Sequence, residues 1–445
     1  MTTYISCDPS TGQVIQKRPA QKQSVLSAQV AALRTHQKHW AIKPPKSRAK
    51  QLSQLALALD HHRDALSTLI TQETGRLLSE TRAEIDKSIR LIDYYTATAP
   101  KLLASRTVAT QATCSQIQFE PLGIVLAIMP WNYPIWQVLR FAVPALLAGN
   151  ACLIKPALSV AQSTQALLDM IRTIQLDVLE VAWLPDQQVE EAISYAQAVA
   201  FTGSTKTGQH IAALAGKYLK KTVLELGGSN PFIILSDANL KEAAQDACLS
   251  RFRDAGQSCN AAKRFIVVPE IAEPFIEQFL KLVKPLRCGQ TLSPLARCDL
   301  RATLHQQVLD AVAQGAALLM GGNIPGGTGF FYPATVLDHV NSRCRVYHEE
   351  VFGPVASILR ATSEEDAIRL ANDTPFGLGV ALYTSDMTRA KNYAKCLEAG
   401  SVFINRYTSS DLHLPFGGVK SSGYGRELSA FGLYEFVNIK TYWQK

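Results

Sequence analysis

The sequence predicts an α/β protein with two doubly wound α/β domains and a small β arm. Three observations indicate this architecture. A chain of 445 residues is longer than one typical domain. Short apolar runs alternate with helical stretches over most of its length, which is typical of βαβ units. Two further segments alternate polar and apolar residues instead, which favours half-buried antiparallel strands.

The first hundred residues read as helices. Residues 49–70 and 84–97 place apolar side chains three and four positions apart, the spacing of one helical face. Pro100 is expected to end the second helix.

Two series of buried strands follow. The apolar runs of the first series predict a parallel sheet, and they lie at residues 124–129, 151–154, 178–183, 198–201 and 222–226. The second series, between residues 232 and 428, includes runs at 265–268, 317–320 and 402–405. The alternating segments, 114–120 and 436–443, predict the arm. They could pair across a subunit boundary, or the second could be a simple edge strand.

Composition excludes several classes of protein. Hydrophobic residues make up 47% and charged residues 18% of the chain, which argues against a disordered or fibrous protein. The net charge of +8 is spread along the chain without a long basic run, so no nucleic-acid partner is expected. No signal-peptide pattern or long apolar stretch is seen, and the nine cysteines include no Cys-x-x-Cys pair. We therefore expect a cytoplasmic protein without membrane contact or a bound metal.

A first candidate site is the turn Gly203-Ser-Thr-Lys-Thr-Gly208, which follows an apolar run and opens a helix. Backbone N–H groups there could receive a phosphate, although an ordinary β–α turn is the alternative. Cys259, in Gly256-Gln-Ser-Cys, would be presented by a loop of small residues, where a nearby helix N-terminus could favour the thiolate. An inert buried cysteine is the alternative.

Two polar residues at strand ends are also candidates. Glu225 ends an apolar strand that would bury its side chain, and such a carboxyl should have a raised pKa suited to proton transfer. Asn132 follows a strand, and its amide could donate to an oxyanion. The alternatives are a structural acid and a turn-forming asparagine.

The order and spacing of these segments resemble the aldehyde dehydrogenase superfamily over nearly the whole chain. The resemblance is carried by Pro130-Trp-Asn, Lys155-Pro, Phe201-Thr-Gly-Ser, Leu224-Glu-Leu-Gly-Gly, Gly256-Gln-Ser-Cys, Glu349-Glu-Val-Phe-Gly-Pro, Pro415-Phe-Gly-Gly and Ser422-Gly-Tyr-Gly-Arg-Glu. It implies a Rossmann-like cofactor domain formed by residues 1–102 and 122–227 and a catalytic domain formed by 228–429. Residues 103–121 and 430–445 would form an oligomerisation arm of a homodimer or homotetramer.

The resemblance also implies catalytic roles. Cys259 would attack the aldehyde carbonyl, and Asn132 with the backbone N–H of Cys259 would stabilise the resulting alkoxide. The thiohemiacetal would expel hydride to the nicotinamide, and Glu225 would activate the water that releases the acid from the thioester. The implied cofactor contacts are Trp131 and Lys155 on the adenosine side, Gly203 and Ser204 at the pyrophosphate, and Glu350 and Phe352 at the nicotinamide ribose and ring.

Substrate contacts are expected on the helix after Pro134. Trp136, Gln137 and Arg140 lie within about one turn of each other and could line the substrate tunnel. The chain is similar to succinate semialdehyde dehydrogenases at Arg140, Arg253 and Ser410, positions that bind the substrate carboxylate in those enzymes. This implies oxidation of succinate semialdehyde to succinate. The alternatives are another aldehyde such as glutarate semialdehyde, and a non-catalytic relative.

The sequence departs from the family at the adenosine end of the cofactor. Residues 177–191 lack the glycine-rich loop usually found there, and Leu158 replaces a glutamate that bonds the ribose in NAD-selective relatives. A carboxylate at that position would repel a 2′-phosphate. Lys155 and Ser159 could contact that phosphate, so we expect NADP to be accepted and preferred, with NAD use as the alternative.

Overall fold

The N-terminal part of the computed structural model, which describes residues 3–445, differs in part from the all-helical expectation. Its elements are β1 (Thr3–Cys7), β2 (Val14–Pro19), α1 (Gln23–Ala41), α2 (Pro45–His61), α3 (Arg63–Thr74), α4 (Leu78–Leu102), β3 (Arg106–Thr107) and β4 (Cys114–Pro121). The β1–β2 hairpin was not predicted. Its strands are short, β2 is mostly exposed, and one of the two buried positions of β1 is the polar Ser6, so the hairpin shows little apolar alternation.

Two of the helix predictions need correction. The expected helix over residues 49–70 is split into α2 and α3 at His62. The second expected helix lies within α4, but Pro100 does not end it. Pro100 is in the last turn, where the missing N–H costs a single hydrogen bond, and the following turn still closes through Leu103 N–H to the Ala99 carbonyl. Residues 1 and 2, the start of the predicted cofactor domain, lie outside the described residues.

The middle of the chain forms the first α/β unit. Its elements are β5 (Ile124–Ile128), α5 (Trp136–Leu147), β6 (Ala151–Lys155), α6 (Ala161–Thr173), β7 (Leu179–Val181), α7 (Val189–Tyr195), β8 (Ala198–Thr202), α8 (Thr205–Lys217) and β9 (Lys221–Glu225). All five strands lie within a residue or two of the predicted apolar runs.

The second α/β unit and the C-terminal elements follow. They are β10 (Asn230–Ile234), α9 (Leu240–Phe252), β11 (Ala262–Val267), α10 (Ala272–Val283), α11 (Cys298–Ala313), β12 (Ala317–Met320), β13 (Thr335–Asp338), α12 (Arg345–His348), β14 (Val355–Arg360), α13 (Glu364–Asn372), β15 (Phe376–Gly377), β16 (Val380–Tyr383), α14 (Met387–Cys396), β17 (Val402–Ile404), β18 (Val419–Lys420), β19 (Gly423–Tyr424), α15 (Ser429–Tyr434) and β20 (Val437–Gln444).

The strand orders confirm two doubly wound sheets. The first sheet has the order β19-β9-β8-β5-β6-β7, in which β5 to β9 are parallel and β19 is antiparallel. The second has the order β12-β13-β14-β11-β10-β16-β17, and only β12 is antiparallel. Each sheet packs into its own hydrophobic core. In the first sheet the connections reverse direction between β5 and β8, and such a switch point leaves a crevice for a ligand.

The arm is a three-stranded antiparallel sheet of order β20-β4-β3. The C-terminal strand pairs with the segment around Ile117, as expected, but the pairing is within one chain, with Thr441 opposite Ile117. Pairing of this arm with a second subunit stays a prediction. The outer edge of β20 exposes Ile439 and Trp443.

No helix among residues 3–445 is long and apolar enough to cross a membrane.

Asn150 joins the arm to the first α/β unit, and its substitution tests that link. Its side chain is fully buried and makes four hydrogen bonds, accepting from the N–H groups of Leu122 and Gly123 and donating to the carbonyls of Ala145 and Phe436. Asn150→Ala leaves the Leu122 and Gly123 N–H groups and the Phe436 carbonyl without their partner, whereas the Ala145 carbonyl still accepts the backbone N–H of residue 150. Each unsatisfied group costs about 1–3 kcal/mol. We expect the free energy of unfolding in urea to fall by about 3 kcal/mol or more.

The matched control is Asn438→Ala on the same arm, where an exposed amide donates to Glu120. We expect this variant to unfold within about 0.5 kcal/mol of the wild type. A loss below about 1 kcal/mol for Asn150→Ala would show that Asn150 does not anchor the arm.

Candidate active site

Cys259 lies in a loop between the two sheets, at the wall of a cavity of about 340 Å³. The loop follows a 3₁₀ turn at Arg253–Gly256 and leads into β11. Gly256 has φ +69°, and a Cβ there would lie 2.6 Å from the Gly353 carbonyl oxygen, so this position requires glycine. No helix begins at Cys259. The expected helix N-terminus is therefore wrong.

The environment of Cys259 keeps the thiol protonated. Burial is the main cause that raises the pKa of the thiol to about 11; Arg140 and Lys263 oppose the shift, and Glu225 and Glu350 add to it. The half-buried sulfur is thus a neutral thiol near pH 7 and needs a proton acceptor to become a nucleophile.

Glu225 ends β9 and is buried with neither carboxyl oxygen hydrogen-bonded to any atom of residues 3–445. Burial, and then the neighbouring carboxylate of Glu427, raises the pKa of Glu225 well above its ordinary value, although Arg140 and Arg426 oppose the shift. Buried carboxyl oxygens without a protein partner are suited to hold a water molecule. The position and the raised pKa are those expected from the sequence.

Asn132 joins the loop after β5 to the loop of Cys259. Its side-chain Nδ2 donates to the Gln257 carbonyl at 3.0 Å, and the side chain is buried. An amide nitrogen carries two donors, so one remains for a ligand. The structure brings Asn132, Glu225 and Cys259 to the same interface between the two sheets.

A buried arginine holds these loops in place. Arg76 Nε donates to Asp254 at 2.6 Å, Arg76 Nη1 contacts Glu84 and donates to the Asn132 carbonyl at 3.2 Å, and its guanidinium stacks 4.2 Å from the Tyr133 ring centroid. This network was not predicted from the sequence. Its members are up to 178 residues apart, and only a charged residue on the buried face of α4 hinted at it.

The five residues predicted to bind substrate all line the cavity at Cys259, namely Trp136, Gln137, Arg140, Arg253 and Ser410. Arg140 is buried and its Nε contacts the Glu427 carboxylate, while its Nη2 has no hydrogen-bond partner among residues 3–445. Arg253 is nearly half exposed and lies 3.5 Å from Asp254. Besides Arg76, three cations of this cavity were not predicted from the sequence: Lys87, Arg90 and Arg406.

The predicted cofactor residues gather at the carboxyl edge of the first sheet. Ser204 caps α8, so backbone N–H groups of the first turn point out of the sheet edge. The Gly203 N–H itself donates to the Glu225 carbonyl at 3.0 Å and is not free for a ligand. A Cβ on Gly227 would lie only 2.6 Å from the Glu350 carboxylate, so the backbone can pass this close to Glu350 because residue 227 is a glycine.

The two ends of this edge differ in polarity. Lys155 ends β6 and pairs with Asp186 at 3.0 Å, beside the exposed Leu158 and the half-buried Ser159. At the other end, the ring of Trp131 packs edge-on against Phe352 with centroids 5.8 Å apart. Trp131 was expected on the adenosine side, but this contact places its ring beside the residue expected at the nicotinamide. Glu350, next to Phe352, accepts from the Gly228 N–H at 3.0 Å and pairs with Lys263.

These features fit a dinucleotide. The crevice between β5 and β8 is bordered by a helix N-terminus, a basic side chain and a carboxylate, the groups that bind pyrophosphate and ribose in Rossmann-type sheets.

Comparison with known proteins agrees with this geometry. The sequence model of the Aldehyde dehydrogenase family matches residues 2–442. The succinate semialdehyde dehydrogenase [NAD(P)+] Sad of Escherichia coli (strain K12) is 41% identical over 100% of this chain and 98% of its own. The succinate-semialdehyde dehydrogenase [NADP(+)] of Mycobacterium avium (strain 104) is 40% identical over 98% of this chain and 95% of its own.

Among solved structures, the succinic semialdehyde dehydrogenase of Streptococcus pyogenes in complex with NADP+ superimposes with a TM-score of 0.95, at 33% identity over 99% of both chains. Family, fold and the arrangement of strand ends around Cys259 agree over the whole chain: the protein belongs to the aldehyde dehydrogenase family.

Proposed function

We propose that the protein oxidises succinate semialdehyde to succinate, with NADP as the preferred cofactor and NAD as a second. Glutarate semialdehyde is the nearest competing substrate. We also propose that the enzyme works in the cytoplasm as a homodimer or homotetramer, and that the domains have the boundaries predicted from the sequence. Among residues 3–445 all nine cysteines are free thiols, in keeping with a reducing compartment.

The observation that carries this proposal is the charge of the cavity at Cys259. Six cationic side chains line it, namely Arg76, Lys87, Arg90, Arg140, Arg253 and Arg406, against the three acids Glu80, Glu84 and Asp254. Such a wall favours an aldehyde that carries a carboxylate at its far end. The relatives named above as succinate semialdehyde dehydrogenases support the same substrate.

The residues of the chain support a covalent route. The Cys259 thiol gives its proton to water in the cavity as its sulfur adds to the aldehyde carbon, and the free Nδ2 donor of Asn132 stabilises the oxygen of the thiohemiacetal. A bound dinucleotide would supply the hydride acceptor that converts this adduct to a thioester on Cys259. Glu225, ionised, takes a proton from water held at its unpartnered oxygens, and hydroxide addition releases the acid and restores the thiol.

A non-catalytic binding protein of the same fold is the rival in a different class. It has no use for a thiol and an unpartnered buried carboxyl at one interface. Steady-state absorbance of reduced cofactor over a panel of aldehydes, with both dinucleotides, separates the two. Cys259→Ala provides the inactive control, because no other cysteine among residues 3–445 lines the cavity.

Arg253→Ala tests the substrate assignment. We expect kcat/KM for succinate semialdehyde to fall by about 10–100-fold, because the variant removes from the cavity wall a half-exposed cation that attracts an anionic substrate. Uncharged butyraldehyde is the control and should lose less than about threefold. Arg140→Ala should impair both aldehydes, since it leaves Glu427 as a buried charge without a partner. Equal losses on both aldehydes for Arg253→Ala would overturn the assignment.

Glu225→Gln tests the role of the buried carboxyl. The variant should still form the thioester once, because its thiol and amide donor are intact, and then hydrolyse it about 10²–10⁴-fold more slowly. Stopped-flow absorbance should show a burst of one reduced cofactor per subunit followed by a slow phase. Absence of a burst would indicate that Glu225 instead deprotonates Cys259, whose pKa of about 11 requires some acceptor.

Leu158→Glu tests the cofactor assignment. A carboxylate at this exposed position would face a 2′-phosphate and compete for Lys155, which already pairs with Asp186. Two unit charges about 4 Å apart interact by roughly 4 kcal/mol at an effective dielectric of 20, and solvent screens part of this. We expect the NADP/NAD ratio of kcat/KM to fall at least ~10-fold, and NADPH binding, followed by its fluorescence, to weaken in parallel.

The matched control is Leu158→Gln, because glutamine has the size of glutamate without its charge. This variant should leave the NADP/NAD ratio of kcat/KM within about threefold of the wild type. The reading of position 158 is wrong if Leu158→Glu leaves the ratio unchanged, or if the wild type uses NAD more than about tenfold better.

A further inference from the structure

Lys87 places an amine inside the cavity at Cys259, on the wall formed by α4. Its Nζ lies 4.0 Å from the ring centroid of Trp136 and donates a hydrogen bond to the Ser410 hydroxyl. A lysine ammonium has three donors. The hydroxyl takes one and the indole face covers a second direction, which leaves a donor for a molecule in the cavity.

Three of the five other cations of the cavity already have carboxylate partners, and the remaining two, Arg90 and Arg406, are exposed to solvent. Arg76 pairs with Glu84 and Asp254, Arg140 pairs with Glu427, and Arg253 lies 3.5 Å from Asp254.

Lys87 itself has no carboxylate within ion-pair distance in the part of the chain that the structure describes. Glu84 precedes it by one turn on α4, but both Glu84 oxygens are occupied. One contacts Arg76, and the other accepts the N–H groups of Ile135 and Trp136 at 2.9 Å each. The charge of Lys87 is therefore the least compensated one in the interior of the cavity.

We propose that Lys87 binds the distal carboxylate of the substrate, together with the Ser410 hydroxyl and the free Nη2 donor of Arg140, and thereby sets the preference for anionic aldehydes. This inference rests on the proposed function. In this arrangement Arg140 supplies a hydrogen bond while Glu427 balances its charge, and Lys87 supplies the net charge that matches the carboxylate. The Trp136 ring beneath the ammonium fixes its position.

The acidity of Lys87 supports this role and gives the proposal a distinctive readout. Burial, with smaller contributions from Arg140 and Arg253, lowers the pKa of Lys87 to about 7, while Cys259 and Glu84 oppose the shift. The free amine is thus charged below about pH 7 and loses its charge above it. A bound carboxylate favours the charged form, so anionic substrate should bind more weakly as pH rises through and above 7.

Other titratable and charged groups also face this part of the cavity. They are Arg76, Glu80, Glu84 and Arg90 on or near α4, Tyr133 and Arg140 on or before α5, Arg253, Asp254 and Cys259 in the nucleophile loop, and Arg406. Cys259 acts on every aldehyde, as does the nearby Glu225. Their titrations therefore cancel in the ratio of kcat/KM for succinate semialdehyde to kcat/KM for butyraldehyde, which we call the anion preference.

The experiment measures the anion preference between pH 6 and 9 for the wild type, Lys87→Met and Lys87→Arg. Methionine keeps the unbranched chain without the charge, and arginine stays charged throughout. We expect the wild-type preference to fall as pH rises through about 7. Lys87→Met should lower it about 10–100-fold at pH 6, through KM for succinate semialdehyde, and abolish its pH dependence. Lys87→Arg should retain the preference at pH 6 and keep it at pH 9.

Arg82→Met is the matched control, since Arg82 is an exposed cation of α4 outside the cavity that pairs with Asp64. It should leave the anion preference and its pH profile unchanged. Calorimetric titration with succinate provides a readout independent of turnover, and Lys87→Met should bind succinate at least ~10-fold more weakly at pH 6.

The outcomes separate the two proposals. If the wild type uses succinate semialdehyde no better than butyraldehyde, the proposed function fails. If the wild type prefers the anion and Lys87→Met keeps that preference, or loses activity equally on both aldehydes, the assignment of Lys87 is overturned while the function stands. Should Lys87→Met fold poorly, a Lys87→Arg variant whose preference still falls with pH as in the wild type would equally overturn it.

Discussion

The active site depends on one buried guanidinium. Arg76 reaches from the turn before α4 to Asp254 in the nucleophile loop and to the backbone of Asn132 in the loop after β5, with Glu84 completing the pairing. These loops belong to different sheets and have no strand pairing with each other. A planar group with five fixed donors can hold several acceptors at set angles, which a lysine at the same place could not do. The relative position of nucleophile and amide donor is therefore set by hydrogen-bond geometry.

Burial has opposite effects on the two reacting groups. It makes Cys259 a poor nucleophile at rest, because the thiol keeps its proton, and it makes Glu225 a stronger base whenever that carboxyl is ionised. A site of this kind is inert toward passing electrophiles until substrate and cofactor change the local charge. Arg140 lowers the pKa of both groups, so its ion pair with Glu427 also affects the pKa values of the nucleophile and the base.

The sequence predicted the fold well where burial was continuous. The five parallel strands of the first sheet are largely runs of apolar residues buried on both faces. Such runs locate the strand ends to within a residue or two, and with them the positions of Asn132, Lys155, Ser204 and Glu225. The hairpin at the N-terminus escaped because its strands are short and half exposed. The pKa of Cys259 could not be predicted, since the surroundings of a thiol are set by residues distant along the chain. Lys87 escaped for a related reason, because a lysine between polar residues on a helix reads as a surface residue.

The contacts of Asn150 with the arm have a consequence for how the chain folds. Asn150 donates to the Phe436 carbonyl across 286 positions, and β19 and β20 pair with β9 and β4. The first sheet therefore gains its edge strand β19, and Asn150 gains the Phe436 carbonyl as an acceptor, only when residues 423–444 are available. On a ribosome, residues 3–225 would remain with that edge unpaired until residues 423–444 have been made. The N-terminal unit is thus the first to be made and among the last to be completed, a period in which its open strand edge is exposed to aggregation.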